Sequence, residues 1–280
     1  MRDDTPIGYQ GVPGAYSEQA LLANYPDADR RPSRTLPELF STLISGDIVR
    51  ALVPIENSYA GSVDEAYDLM LANSVSIVAE HIHPVEHALL ATPGASLTTI
   101  KRVFSHPQAL AQTSEYLLAH HLQATPYYDT AGAAEMVAEN EDSSCAAVAS
   151  RLAADYYGLA VLADNIQTAR DNSTRFVLLC AGGWSPALRT ESAFPGKTAL
   201  AFSVEHHPGA LVQALESFAQ RGVNLLRLAS RPSRQRPWEY VFFAEAAGYE
   251  HEPRVHEALG ELSRLGIWFR VLGSYKAAHA

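Results

Sequence analysis

Two different successions of secondary structure divide this 280-residue sequence, and they constrain its fold more than any other feature. Up to about residue 180, short apolar runs alternate with helical patterns, which is typical of an α/β sheet. A segment rich in Gly, Ser and Pro, residues 182–196, then interrupts the pattern. After it the predicted order is strand, helix, strand, strand, helix, strand, which is the ferredoxin-like βαββαβ order. The sequence therefore predicts a larger α/β domain followed by a small domain.

Composition and charge narrow the classes of function. The residues are 47% hydrophobic and 19% charged, which is ordinary for a globular protein. The formal net charge of −10 repels phosphate backbones, so we predict no nucleic-acid partner, and an anionic substrate would need positive charge supplied locally. The first residues resemble no signal segment, and no run reaches the roughly 18 apolar residues of a membrane helix. We therefore predict a cytoplasmic location and no membrane partner.

Three polar loops follow predicted strands and precede predicted helices: residues 11–17, 56–62 and 130–133. Ligands bind to open α/β sheets at the carboxyl ends of strands, where such loops lie. Ser62 and Glu65 match a capping box, which predicts a helix start at the end of the second loop. Ordinary turns explain each loop equally well, and their convergence is the stronger indication of a site. The first loop lacks the glycine spacing and the lysine of nucleotide-binding loops, which argues against a nucleotide cofactor.

A fourth polar segment, residues 171–176, stands at the entrance to an apolar strand. Within six residues it brings together a carboxylate, an amide, two hydroxyls and the guanidinium of Arg175. A planar guanidinium matches a carboxylate in both geometry and charge, which indicates a site for an acidic substrate. A polar loop with a surface arginine explains the pattern as well, so both interpretations stay open on the periodicity alone.

A histidine cluster, His81, His83 and His87, raises the question of a metal site. Pro84 interrupts the strand that would align these side chains, and no further Cys or His cluster completes four ligands. We therefore favour a polar edge strand and predict no metal. No Gly-x-Ser-x-Gly nucleophile elbow occurs either, so a hydrolase mechanism lacks support.

The polar loops and the segment at 171–176 belong to motifs by which the chain resembles the prephenate dehydratases over nearly its whole length. The shared motifs are Gly-Ala-Tyr-Ser-Glu-Gln-Ala at 14–20, Val-Pro-Ile-Glu-Asn-Ser at 53–58, Ser-His-Pro-Gln-Ala-Leu at 105–110 and Thr-Arg-Phe at 174–176. The last two are specific when they follow Glu-Asn-Ser in this order. The C-terminal part is similar to an ACT domain, with Gly-Ala-Leu-Val at 209–212. Where the family has Glu-Ser-Arg-Pro, the glutamate is replaced by Ala229.

The resemblance implies an α/β fold in which two lobes surround a cleft, like a type II periplasmic binding protein, with a ferredoxin-like βαββαβ ACT domain attached. The predicted parts are a catalytic domain at 1–181, with lobe one at about 1–79 and 160–181 and lobe two at about 80–159, a linker at 182–196, and an ACT regulatory domain at 197–280.

The resemblance also implies a carbon–oxygen lyase that converts prephenate into phenylpyruvate in phenylalanine biosynthesis, with loss of water and carbon dioxide. Aromatisation of the ring supplies the driving force, so no cofactor and no metal are expected. By resemblance, Thr174 donates a hydrogen bond to the departing hydroxyl, Arg175 anchors a carboxylate, and Phe176 shapes an apolar wall. Six further residues are predicted to contact the substrate: Asn57, Ser58, Thr130, Ala15, Tyr16 and Ser17.

Regulation is implied in the same way. ACT domains of this family bind phenylalanine at a subunit interface, and the family forms dimers or dimers of dimers, so we predict a homodimer or homotetramer that binds L-phenylalanine. The predicted effector residues are Gly209, Ala210, Leu211, Val212, Asn224, Ser230, Arg231 and Pro232. Because Ala229 removes a carboxylate, we expect weaker binding than in relatives with the glutamate. Glu205, on the adjacent strand, is an alternative source of that charge.

Three other functions compete with this prediction. An arogenate dehydratase would act on the transaminated substrate, and a single sequence does not decide between the two acids. A two-lobed solute-binding protein has the same implied fold, but such proteins are normally exported, and the first residues predict no export. A pure amino-acid sensor with inactive lobes conflicts with the intact triplet at 174–176.

Overall fold

A computed structural model describes residues 6–188, 194–233 and 240–278. Within these ranges the chain forms two compact units, one from residues 6–69 and 81–176 and the other from residues 70–80 and 177–278. Residues 189–193 of the predicted linker lie outside the described part of the chain. These units divide the chain differently from the domains given above, so those domain boundaries stay a proposal.

The described residues contain fifteen strands and nine α-helices. The strands are β1 (Pro6–Gln10), β2 (Asp29–Ser33), β3 (Arg50–Asn57), β4 (Gly61–Ser62), β5 (Val75–Pro84), β6 (Ala88–Ala91), β7 (Arg102–Ser105), β8 (Gln123–Pro126), β9 (Cys145–Ala149), β10 (Ala160–Ala163), β11 (Ser173–Ala181), β12 (Gly196–Ser203), β13 (Leu225–Pro232), β14 (Tyr240–Ala247) and β15 (Trp268–Lys276). The helices are α1 (Tyr16–Asn24), α2 (Leu36–Ser45), α3 (Asp64–Ala72), α4 (Pro107–Gln112), α5 (Ser114–Ala119), α6 (Thr130–Asn140), α7 (Arg151–Tyr157), α8 (Ala210–Ala219) and α9 (Pro253–Arg264).

In the first unit, β1 pairs in parallel with β3 on one side and β2 on the other. The apolar residues of β1 and β3 are buried, whereas β2 has the polar sequence Asp-Arg-Arg-Pro-Ser and lies at the edge. Helix α2 starts at Thr35, whose hydroxyl accepts a hydrogen bond from the Glu38 backbone, and ends at Gly46 with φ of 85°. The sequence predicts a capping box at Thr35 and a helix stop at Gly46. The cap and the stop are confirmed, whereas the Glu38 carboxylate accepts from the Arg34 amide at 2.7 Å and not from the Thr35 amide.

A second sheet of the first unit has the order β10-β6-β9-β7-β8. All residues of β6 and β9 are buried, as expected for central strands covered on both faces. The sequence predicts one helix over residues 107–121, but the structure has α4 and α5 separated at Thr113. The hydroxyl of this fully buried threonine bonds the Ala109 carbonyl, which competes with regular helix geometry.

In the second unit, β12, α8, β13, β14, α9 and β15 follow one another in the predicted βαββαβ order. Their antiparallel sheet has the order β13-β14-β12-β15, and β5 lies next to β15. The parallel pairing of β5 with β15 joins Ile77 to Gly273, and a side chain at residue 273 would meet the Ile77 carbonyl oxygen at 2.3 Å. The glycine therefore permits β5 to approach this closely.

A buried ionic cluster fastens β5 to the same sheet. The Lys197 ammonium lies 2.8 and 2.9 Å from the two carboxylate oxygens of Glu80 and 3.2 Å from Glu245. The Lys197 side chain is 10% exposed and that of Glu80 is 1% exposed. Such buried charges are stable only when they are paired, so each partner depends on the others.

None of the helices in the described ranges combines the length and apolar character that a membrane crossing requires.

Candidate active site

The first unit contains a cavity of about 300 Å³ where strand ends and helix starts converge. Below, this cavity is called the cleft. Six of the nine residues that the sequence predicts for catalysis and substrate binding line it, and three do not. The six are Ala15, Tyr16, Ser17, Asn57, Thr130 and Thr174.

The hydroxyl of Thr174 is held as a hydrogen-bond acceptor. Asn57 Oδ1 accepts from the backbone amides of Tyr59 and Ala60, both at 3.0 Å, which leaves Asn57 Nδ2 as a donor. That nitrogen lies 3.1 Å from Thr174 Oγ1. Because the oxygen of the hydroxyl accepts this bond, its own hydrogen remains for a group in the cleft.

Arg175 is not among the residues that line the cleft, and its role as the anchor of a substrate carboxylate stays a prediction. Successive side chains of a strand point to opposite faces, and Thr174 already faces the cleft from β11. Arg175 accordingly lies on the other face, where its Nη2 is 2.9 Å from Glu56 Oε2. Phe176 shares the face of Thr174 but is 1% exposed, so it belongs to the core and not to the cleft wall.

Ser58 also lies outside the lining of the cleft. Its hydroxyl accepts from the backbone amide of Ser173 at 3.0 Å, and its own amide donates to the Ser173 carbonyl at 2.9 Å. The side chain therefore holds the loop after β3 against the start of β11, which fixes the position of Asn57.

Helix α1 begins at the cleft. Its first residue follows Ala15, which offers no side-chain cap, and among described residues none supplies one. The turn before it depends on Gly14, with φ of 86°, whose amide donates to the buried Glu18 carboxylate at 2.7 Å. A side chain at residue 14 would lie 2.6 Å from the Ala153 backbone. The helix start, with Tyr16 and Ser17 in the lining, thus presents the partial positive charge of its backbone to the cleft.

Asp129 and Thr130 bring an acidic group to the cleft at the start of α6. The Asp129 carboxylate caps the helix by accepting from the Ala131 amide at 3.0 Å. Burial raises the pKa of the Asp129 carboxyl, although this backbone hydrogen bond opposes the shift. Asp129 was not among the residues predicted from the sequence, although an aspartate directly before a helical pattern is a standard capping signal.

Arg34 is a second cleft residue that was not predicted from the sequence. Among the described residues that line the cleft, it is the one Lys or Arg side chain. It follows directly after β2, and that polar strand was itself not predicted. Arg34 supplies the local positive charge that an acidic chain needs for an anionic substrate.

Of the three clustered histidines, His81 and His87 form side-chain hydrogen bonds, and His83 is half-buried. His81 Nε2 lies 2.8 Å from the Tyr25 hydroxyl, and His87 lies between the Tyr16 hydroxyl and the Gln112 carboxamide, at 2.7 Å from each. Burial lowers the pKa of both His83 and His87. Within the ranges that the structure describes, no three His, Cys, Asp or Glu side chains are arranged to hold a metal.

The second unit has its own cavity of about 320 Å³. Of the eight predicted effector residues, Ala210 lines this cavity. Glu205, His206 and His207, which are not among those eight, line it as well. Gly209 precedes α8 in the left-handed conformation, with φ of 88°, and α8 has no side-chain cap from the described residues. Ala229 lies elsewhere, in the edge strand β13, where it pairs with Phe243.

Comparison with known proteins places these features in a family. Residues 7–183 match the model of prephenate dehydratase, and residues 198–264 match the ACT domain. Arogenate dehydratase 4 of Arabidopsis thaliana, a chloroplastic protein, is 40% identical over 287 residues, which cover 96% of this chain and 67% of that protein.

Solved structures agree over nearly the full length. The prephenate dehydratase of Arthrobacter aurescens in complex with L-Phe has a TM-score of 0.88 at 34% identity, covering 98% of this chain and 90% of that one. GqqA, described as a novel type of quorum quenching acylase, has a TM-score of 0.90 at 35% identity and covers 98% of both chains. The chain therefore belongs to the prephenate dehydratase family, which makes it a carbon–oxygen lyase with a C-terminal ACT domain.

Proposed function

We propose that the cleft converts prephenate into phenylpyruvate through the Thr174 hydroxyl. The bond between the ring and its carboxylate breaks to release carbon dioxide, and its electron pair moves through the ring to expel the hydroxyl on the opposite carbon. That hydroxyl takes up a proton and leaves as water, and the ring becomes aromatic. The observation that carries the proposal is the Asn57–Thr174 hydrogen bond, which leaves the threonine hydrogen available for the departing oxygen. Positioned donation of this kind is worth about 10²–10⁴ in rate.

The charges in the cleft suit the carboxylate of the pyruvyl side chain. The ring carboxylate becomes neutral carbon dioxide, so a cation placed on it would stabilise the substrate more than the transition state. The pyruvyl carboxylate keeps its charge throughout the reaction. We therefore assign it to Arg34 and to the start of α1 at Tyr16 and Ser17, because both border the cleft.

Arogenate is the second candidate substrate, and Asp129 favours it. Arogenate has an ammonium group in place of the pyruvyl keto group, and a carboxylate is its natural partner. Asp129 lines the cleft close to Thr130, opposite in charge to that ammonium. Relatives named arogenate dehydratase and arogenate dehydratase/prephenate dehydratase accord with either acid.

An acylase reaction fits the cleft less well. Amide hydrolysis by a hydroxyl nucleophile requires a base within hydrogen-bond distance of that hydroxyl. In the described part of the chain, the cleft hydroxyls of Ser17 and Thr174 have no hydrogen bond to a histidine or a carboxylate. The Thr130 hydroxyl contacts Asp129 Oδ1, but at 3.5 Å this contact is long for proton transfer.

Purified protein offered prephenate, arogenate and an N-acyl amino acid separately tests the proposal. We expect phenylpyruvate from prephenate with the highest kcat/KM and no hydrolysis of the amide. A higher kcat/KM for arogenate than for prephenate would identify arogenate as the preferred substrate. Turnover of the N-acyl amino acid alone would overturn the dehydratase assignment.

For regulation, we propose that L-phenylalanine binds to the second unit in a homodimer or homotetramer. The uncapped start of α8 suits the amino-acid carboxylate, and Glu205 in the same cavity suits the ammonium. Strand β13, at the sheet edge, exposes Leu226 and Leu228, which favours pairing with a second copy. Sedimentation of the purified chain with and without phenylalanine measures the oligomer, and a monomer in both conditions would contradict this proposal.

A further inference from the structure

A continuous series of hydrogen bonds runs from the loop after β3 to His87, and its first member has a fixed orientation. Backbone amides only donate, so the two that bond Asn57 Oδ1 require this atom to be the acceptor. Asn57 Nδ2 then donates to Asn172 Oδ1 at 2.8 Å. The orientation of Asn57 therefore decides that of Asn172.

The same reasoning extends to Gln112. Asn172 is buried, and because its oxygen already accepts, its nitrogen donates to Gln112 Oε1 at 3.1 Å. That oxygen lies 2.7 Å from His87 Nε2. Since an oxygen of this kind only accepts, Nε2 of His87 must carry the hydrogen.

The remaining ring nitrogen fits this tautomer. The Tyr16 hydroxyl lies 2.7 Å from His87 Nδ1 and donates to it, with the Glu86 carbonyl at 3.0 Å as a second acceptor for the same hydrogen. Burial lowers the pKa of His87, which favours the neutral ring. Every polar atom of the imidazole is thus assigned one role.

The consequence appears at Gln112, which lines both the cleft and a neighbouring cavity of about 440 Å³. Its oxygen is held by His87 and Asn172, so its amino group must point the other way. That nitrogen, Nε2, is buried and has no partner among the residues that the structure describes. A buried donor without a partner is costly unless a ligand satisfies it.

We infer that His87 is a positioning residue for the dehydration: its Nε2 hydrogen fixes the Gln112 carboxamide so that the amino group faces the substrate. Tyr16 supports this role by holding the hydrogen of the imidazole on Nε2. The inference rests on the proposed function where it is tested by enzyme kinetics. Where it is tested by NMR, it rests on the hydrogen-bond geometry alone.

Two substitutions separate this role from a merely structural one. In His87→Gln the new amide nitrogen reaches the position of Nε2 and donates to Gln112, whereas in His87→Asn it reaches only the position of Nδ1. We expect kcat/KM of the glutamine variant to exceed that of the asparagine variant by about tenfold, the effect of one neutral hydrogen bond at the upper end of its range. Equal values for two folded variants would overturn the inference.

The chain contains a matched control. Tyr25 and His81 form the same kind of edge-to-face pair, with ring centroids 5.3 Å apart against 5.5 Å for Tyr16 and His87. His81 does not line the cleft. We expect His81→Gln and His81→Asn to have the same kcat/KM as each other, and a difference as large as that at residue 87 would show that the readout reports general packing.

Nitrogen-15 NMR of the imidazole tests the geometry without any substrate. We expect the neutral His87 ring to carry its hydrogen on Nε2 in the wild type, and Tyr16→Phe to add a population with the hydrogen on Nδ1. A wild-type ring with its hydrogen on Nδ1 would overturn the inference. An inactive wild type with the expected tautomer would count against the proposed function alone.

Discussion

The Asn57 carboxamide nitrogen lies 3.1 Å from the Thr174 hydroxyl oxygen, across 117 positions of sequence. Two backbone amides fix the direction of this hydrogen bond, so the threonine is the acceptor and its hydrogen is left for the substrate. The motif that contains Asn57 thus orients the hydroxyl of the triplet that contains Thr174.

Thr174→Val should leave the protein folded and lower kcat by about 10²–10⁴, because valine keeps the shape of threonine and removes the donor. Thr174→Ser, which keeps a hydroxyl, is the control and should retain most of the activity. Turnover of prephenate by the valine variant within threefold of wild type would remove Thr174 from the mechanism.

Arg34→Gln should raise KM by about tenfold or more with little change in kcat, since a charge-assisted hydrogen bond is worth about 1.5–3 kcal/mol. The matched control is Arg31→Gln, because Arg31 is exposed on the preceding strand and pairs with Asp29. Steady-state kinetics of both variants decide the matter. A KM of the Arg34→Gln variant equal to that of wild type would mean that another group binds the pyruvyl carboxylate of the substrate.

Lys197→Met should destabilise the protein by about 3–5 kcal/mol, because it leaves the buried carboxylates of Glu80 and Glu245 without their shared partner. Lys276→Met tests a lysine that is exposed and lies over the ring of Phe194, and we expect a loss below about 1 kcal/mol. Urea unfolding of the two variants measures the difference. Similar losses would mean that the cluster is not a major source of stability.

Glu205→Gln should weaken the binding of phenylalanine by about tenfold, because the side chain lines the cavity at the start of α8. Ala229→Glu should tighten binding if the family glutamate contacts the effector. Calorimetric titration of both variants distinguishes the two sources of charge. An Ala229→Glu variant that binds no better than wild type would make Ala229 a neutral replacement.

Stability should fall as the pH drops below about 6.5, because burial lowers the pKa of His83 and His87. Below that value the unfolded chain binds more protons at these rings than the folded chain, so the free energy of unfolding rises with pH and is lost on acidification. Urea unfolding at about pH 7.5 and about pH 5.5 should show a smaller loss in His83→Gln than in wild type. An identical loss would assign the acid sensitivity to other groups.

The sequence predicts those parts of the fold whose local chemistry decides them. The cap at Thr35 and the βαββαβ order are local patterns, and both are confirmed. Strand β2 was not predicted because its residues are polar, which a sheet edge tolerates but an apolar pattern does not reveal. Arg34, which follows this strand, was therefore not predicted either. Ser62 pairs with Glu56 in β4, a contact that periodicity does not reveal, and its role as the cap of the following helix stays a prediction.

The candidate site follows the same rule. Motif resemblance identified Thr174 and Asn57, whereas strand alternation puts Arg175 on the opposite face. Because of that alternation, the expected anchoring role of Arg175 stays a prediction. His87 and Gln112 could not be predicted, because their roles depend on a hydrogen-bond series that joins residues far apart in the chain.

The ionic cluster at Lys197 has a consequence for attempts to recombine members of this family. Residues 70–80 belong to the same compact unit as the C-terminal part of the chain, and the buried Glu80 carboxylate pairs with Lys197. A chimera that exchanges only the segment after residue 181 would remove the Lys197 side chain that pairs with Glu80, or would replace it with a different side chain. A successful graft must therefore carry the donor's β5 along with the donor's late domain, so the unit of exchange is discontinuous in the gene.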